Sequence, residues 1–325
     1  MARRRTDDRE ERKETFREWS LLLLRDLAIM GLIFAIVLGG LFAYSRVWPP
    51  MVVVESSSMQ HSDTESFIGV IDTGDYVLVQ AAPLRGEVTT WVEGRAQSYR
   101  TYGDYGDVII FWPPVAADTP IIHRAILWLE WNTTAGDGWD APSLLALPTS
   151  EWIALDRNGT PLQYPFAING SITIRHMGFR GDLTEVIRLS TASPSRRVSG
   201  YITMGDNNAY KSGPDPWIVV QGNVVGHARG ELPWFGLLKL TIAPADFCCH
   251  GWGDPSAPRS SWDALTVSLI LLVAGPFAAD FGISLWRKRH KAGKGHSAAV
   301  DAGRQRPAGE ISTEDRAQPP DEPSH

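Results

Sequence analysis

Two apolar runs, one near each end of the chain, constrain this sequence more than any other feature. Leu27 to Tyr44 reads LAIMGLIFAIVLGGLFAY, uncharged and long enough to cross a bilayer with little tilt. It is too long for a cleavable signal peptide, and no A-x-A follows it. Ala264 to Trp286 reads ALTVSLILLVAGPFAADFGISLW. Its Gly275-Pro276 pair and Asp280 interrupt the pattern, but membrane helices tolerate Gly and Pro where neighbours satisfy the freed backbone groups. Membrane spans are therefore predicted at 27–45 and 263–286.

Lys and Arg crowd the far side of both runs. Arg3, Arg4, Arg5, Arg9, Arg12, Lys13, Arg17 and Arg25 precede the first, and Arg287, Lys288, Arg289, Lys291 and Lys294 follow the second. Cytoplasmic flanks carry this excess, counted without the acids. The pattern predicts a multi-pass protein of the cell membrane: a cytoplasmic segment at 1–26, an extracytoplasmic domain at 46–262 and a cytoplasmic tail at 287–325. Past Lys294 the tail is rich in Ala, Gly, Pro, Asp and Glu, a composition that predicts disorder. The outer segment also holds N-x-S/T sequons at Asn132, Asn158 and Asn169, which accord with an external location.

Apolar residues make up 43% of the chain, enough for a buried core, and a net charge of −6 excludes a basic nucleic-acid footprint. The 13 Trp suit a surface at lipid headgroups and a Trp-rich core equally. Cys248 and Cys249 are adjacent, a spacing at which a disulfide strains the peptide between them. Without C-x-x-C or a Cys/His cluster, no metal site and no cofactor are predicted.

The outer segment reads as short strands set apart by turn residues. Met51 to Glu55, Asp75 to Gln80, Val108 to Trp112, Ile121 to Trp131, Ser171 to Arg175, Gly200 to Met204 and Trp217 to Gln221 are β-branched, aromatic or alternating. Helical periodicity is absent from most of the region, so a mainly β domain is predicted. A Gly-, Ala-, Asp- and Pro-rich stretch from Asn132 to Ser150 opens a region of about 132–199 that reads as an insertion.

Glu55-Ser-Ser-Ser-Met59 ends a strand just beyond the first span. A serine there can present its hydroxyl while backbone N–H groups face a developing oxyanion. It needs a base, and His61, His123, His176, His227 and His250 lie outside the spans. His123 follows the apolar Ile121-Ile122 and precedes Arg124. An imidazole near neutral pH is a competent base, and a carboxylate must orient it. Asp206, in Gly205-Asp-Asn-Asn208, and Asp215, in Gly213-Pro-Asp-Pro-Trp217, are both available. Taken singly, a serine run, a histidine between strands and an Asp-Asn turn are ordinary structural features.

As an ordered set these segments resemble type I signal peptidases of the archaeal and endoplasmic-reticulum kind. Ser56-Ser57-Ser58-Met59 is similar to that family's S-x-S-M nucleophile box. Thr73-Gly-Asp-Tyr-Val-Leu-Val79 resembles the following strand, and Gly106-Asp-Val-Ile-Ile-Phe111 with His123-Arg124 resembles the box that carries the base. Gly200-Tyr-Ile-Thr-Met-Gly-Asp-Asn-Asn208 resembles the aspartate box, and Val225 to Gly236 the closing strand. The resemblance implies a coiled β-sheet peptidase domain with an inserted subdomain, Ser58 as nucleophile, His123 as general base, and Asp206 or Asp215 as the orienting carboxylate. It implies oxyanion support from Ser56 and Ser58. The substrate is expected to lie beside the strands of Val52, Val53 and Val54 and of Tyr76, Val77 and Val79. The implied activity is removal of signal peptides from secreted and membrane precursors at the bilayer, with the export translocon as a further partner.

The sequence departs from the family in three places. His61 stands where a proline usually follows the methionine box, which makes it a rival base. Tyr210-Lys-Ser-Gly213 lengthens the aspartate box, and the stretch from His123 to Asp206 is longer than in compact members. Two alternatives share the fold: a non-catalytic protein that binds signal peptides or scaffolds export, and a dedicated processing peptidase for surface proteins.

Overall fold

A computed structural model describes residues 2–82, 88–134, 137–190, 196–246 and 248–304, with side chains described from 18 to 286 within those ranges. The chain is mainly β between two long helices that are apolar enough to cross a membrane. α1 (Ala2–Ser45) and α4 (Arg259–Arg304) contain the stretches Glu18–Ser45 and Arg259–Trp286. Leu24, Phe34, Ile36 and, in α4, Leu271, Leu272 and Phe277 are all more than half exposed. Apolar surface so continuous is what a lipid or protein partner covers.

The contacts divide the chain at Thr266 into two compact units. The second unit, from Val267 onward, is the greater part of α4, and Pro276 lies inside that helix. The helix continues past Lys294 to Arg304, so the disorder expected of the tail does not begin at Lys294. Alanine, lysine and histidine from 290 to 300 carry no helix breaker, and a composition average hides that. The expected tail from 305 onward lies outside the described residues.

The first unit holds a sheet in the order β1 (Met51–Val53), β2 (Tyr76–Ala81), β12 (Val224–Leu232), β5 (Val108–Phe111), β6 (Ile121–Asn132) and β11 (Gly200–Met204), with β7 (Gly138–Asp140) on the far part of β6. The pairings are antiparallel. Period-two alternation builds a core on both faces. In β5, Val108 and Ile110 join Val54, Met59, Ile71, Val77 and Val79 on one side. Ile109 and Phe111 join Ala125, Tyr201 and Val219 on the other. Each fully buried Val or Ile contributes roughly 1.5–3 kcal/mol relative to exposure.

The region between β6 and β11 is indeed a separate small sheet. β8 (Trp152–Leu155), β9 (Ser171–Met177) and β10 (Leu183–Arg188) pair in the order β10-β9-β8. Trp139, Trp152, Ile172, Ile174 and Ile187 form its core, continuous with Leu127 and Leu129 of β6. Several Trp are therefore core residues: Trp91 and Trp139 are fully buried.

Four local expectations are corrected. Trp217 to Gln221 is not a strand; a single bridge joins Val219 to Tyr201, because Pro214 and Pro216 precede it and a 3-10 turn follows at Gln221–Asn223. The short helices α2 (Trp91–Gln97) and α3 (Gly236–Ile242) break the all-β reading. β1 is three residues long, since Val54 turns to bond with Asp75 and Gly74. Cys248 and Cys249 are buried and joined to each other as a disulfide despite their adjacency.

Candidate active site

Ser58 lies in a single 3-10 turn, Ser57–Met59, just past β1. The turn is pinned from below by Met59, almost fully buried, and by Gln60, whose side-chain oxygen accepts from the backbone N–H and the hydroxyl of Thr73. From above it is held by the turn after β11. Asn207 N–H donates to the Ser58 carbonyl at 2.8 Å, and Asn207 Nδ2 donates to the Ser57 carbonyl at 2.7 Å. Ser56 Oγ donates to Ser58 Oγ at 3.2 Å.

His123 sits on β6 opposite Ile109 of β5 and is buried. Its Nδ1 is 2.7 Å from Asp215 Oδ2, which also accepts from Thr203 Oγ1 at 2.6 Å. Asp215 itself is fixed by its N–H bonding to the Thr203 carbonyl. The other imidazole nitrogen faces the serine turn. A Cβ placed on Gly205 would lie 2.4 Å from the Ser58 carbonyl oxygen and 3.0 Å from His123 Nε2. Serine backbone and imidazole therefore flank one point, and only glycine fits between them. No hydrogen bond closes Ser58 Oγ onto Nε2 among the described residues; unliganded sites commonly leave such contacts open.

Asp206 does not meet His123. Its carboxylate takes Arg124 in a fork, Nε at 2.8 Å and Nη2 at 2.6 Å, and His61 Nε2 at 2.9 Å. The cause is strand geometry: neighbours on β6 point to opposite faces, so His123 and Arg124 reach different aspartates. Burial pushes the Asp206 carboxyl up, but the Arg124 charge and hydrogen bonds outweigh it and hold the group below the usual range. Arg124 Nη1 also donates to carbonyls of the Thr101–Gly106 loop, including Thr101 at 3.0 Å and Gly106 at 3.1 Å. His61, the rival base, has its Nε2 committed to Asp206 and not to Ser58.

The two strands expected beside a substrate differ in access. β2 is paired on both edges, with β1 and with β12, and Val77 and Val79 are fully buried. Tyr76, Val77 and Val79 therefore offer no open edge. β1, with Val52 and Val53, ends the sheet and has one; Val54 is buried beyond it. A cavity of about 480 Å³ borders Asp215 on its other side, between β10 and residues 212–218, away from the serine turn.

Two carboxylate groupings were not foreseen. Asp107 accepts from Thr89 N–H, Tyr99 Oη and Arg229 Nη2, with His227 Nδ1 3.4 Å away. Burial raises its carboxyl, yet these partners bring it down to about 2. Asp75 is fully buried and accepts from the backbone N–H groups of Asp72 and Trp234. Desolvation dominates there and pushes Asp75 up to about 8, and Asp72 to about 6. Among the described residues no group of His, Cys, Asp and Glu is arranged to hold a metal ion.

No protein-family model matches this chain, and no curated protein matches it either.

Proposed function

We propose that this chain is a membrane-anchored serine endopeptidase of the signal-peptidase kind, removing N-terminal signal peptides at the bilayer surface. The observation that carries the reading is the His123–Asp215 contact at 2.7 Å, with the opposite imidazole nitrogen turned to the Ser58 turn across Gly205. Ser58 Oγ attacks the scissile carbonyl, and His123 Nε2 takes its proton and passes it to the leaving amine. Asp215 fixes the tautomer with the proton on Nδ1 and stabilises the imidazolium as it forms. The Ser58 N–H and the Ser56 hydroxyl receive the oxyanion. Water then repeats the sequence on the acyl-enzyme, with His123 again as base.

The substrate's cleavage region is extended and adds as a strand to the free edge of β1, its alternate side chains in shallow pockets. α1 runs into that strand within a few residues of Ser58, which confines the site to the membrane surface and raises its effective concentration toward membrane-bound precursors. The translocon, from which precursors emerge, is the partner this placement suits.

The experiment is cleavage of a model precursor by detergent-solubilised protein, with the new N-terminus identified by mass spectrometry. Cleavage after small residues, lost in Ser58→Ala, supports the reading; undiminished cleavage by Ser58→Ala ends it.

A further inference from the structure

We propose that Phe179, carried by the inserted sheet, is a positioning residue for the serine turn and acts through His61. The inference rests on the reading of Ser58 as nucleophile. It gives the insertion a task at the active site: a wall against the outer end of the turn.

His61 lies three residues beyond Ser58 and is enclosed on three sides. Phe179 stacks on its ring with centroids 3.8 Å apart and planes 10° from parallel. Asp206 takes its Nε2 at 2.9 Å. On the remaining side, a Cβ on Gly103 would fall 2.7 Å from His61 Cε1, so loop backbone closes the wall. Only Met59 and Gln60 separate His61 from Ser58, and both are buried. With those side chains fixed, a shift of the His61 ring is passed along the backbone to Ser58.

Phe179 is itself held firmly. It sits in the turn between β9 and β10, where Gly178 has φ +78° and a Cβ would meet Tyr210 Oη at 2.8 Å. Tyr210 packs on Phe179 at 4.9 Å, and the Arg180 guanidinium lies over both rings. Tyr210 Oη accepts from Arg180 N–H and donates to Asp182 Oδ1, each at 3.1 Å. Tyr210 belongs to the lengthened aspartate box, so two departures in length meet at one contact, and they meet at the residue that replaces a proline. A proline would stiffen the turn by fixing φ. Here a stacked imidazole held by two loops does that work from outside.

The test uses full-length protein in detergent and the variants Phe179→Ala, Phe179→Tyr and Phe179→Trp. Expected for Phe179→Ala is a fall in kcat of about tenfold at unchanged KM, because small misplacements of reacting groups are costly in rate. Phe179→Tyr and Phe179→Trp restore kcat. By NMR of histidine-labelled protein, Phe179→Ala moves the His61 ring resonances as the stacked ring current is lost. Wild-type kcat in Phe179→Ala overturns the proposal. So does a loss that neither aromatic variant restores. If wild-type protein cleaves no precursor, the peptidase reading and the positioning role fall together. The His61–Phe179 contact is then judged separately, by whether the His61 resonances move.

Discussion

His123 Nδ1 stands 2.7 Å from Asp215 Oδ2, while the adjacent Arg124 takes both oxygens of Asp206. Two aspartates of similar sequence context thus have different work, and substitution separates them. Asp215→Asn is expected to lower kcat by about 10⁴, the scale of losing the correct imidazole tautomer. Its thermal midpoint stays close to wild type, since the carboxamide keeps an acceptor for Thr203. Asp206→Ala strands the Arg124 guanidinium, which is 1% exposed, and should cost roughly 3–5 kcal/mol of stability. Steady-state cleavage and thermal unfolding in detergent read the two effects side by side.

Gly205→Ala probes the narrowest point of the site. Its Cβ would fall 2.4 Å from the Ser58 carbonyl and 3.0 Å from His123 Nε2, so the serine turn must move away. Cleavage should fall by about 10² or more, the scale of a displacement near 1 Å. Gly222→Ala, with nothing within 4 Å of its Cβ, is the control and should cleave at the wild-type rate.

Ser56→Ala removes the hydroxyl that donates to Ser58 Oγ at 3.2 Å. A donor to the oxyanion acts in the transition state, so kcat should fall about 10²–10³ with little change in KM. An increase in KM at constant kcat would assign Ser56 to substrate binding instead.

Asp75 gives a stability signature against pH. Its carboxyl keeps a proton up to about 8 in the folded chain and loses it near 3.9 when unfolded. Between those values the folded state binds more protons, so stability is full below about pH 4 and declines as pH rises toward 8, by at most about 1.4 kcal/mol per unit for this group. Asp75→Asn should flatten that decline while lowering stability overall, because one backbone N–H then faces an amide donor. Thermal midpoints across pH 4–8 measure the slope.

The sequence announced the two apolar helices, the β-rich middle and the limits of the insertion, because apolar runs and period-two alternation are local signals. The strands Ile121–Asn132 and Gly200–Met204 begin and end within a residue or so of where alternation places them. Helix α2 was equally readable: Thr90-Trp-Val-Glu93 is a capping box, with reciprocal bonds between Thr90 and Glu93. Its burial of Trp91 and Val92 had hidden the helix among apolar strands. Which aspartate meets His123 was not readable, since it depends on the register of β6 against β11 and on a bulge between Ile202 and Thr203. Nor was the closed edge of β2, which is set by β12, a strand more than 140 residues later. The stacking of Phe179 on His61 is a contact between an insertion and a turn, and pattern within either segment carries no trace of it.

The most direct measurement is a double-mutant cycle on precursor cleavage with Ser58→Ala, His123→Ala and the two combined. Groups that act as one reacting unit lose their effect together, so the double variant should be no slower than Ser58→Ala alone. Losses that multiply, or a Ser58→Ala protein that cleaves at the wild-type rate, would contradict a serine nucleophile served by His123.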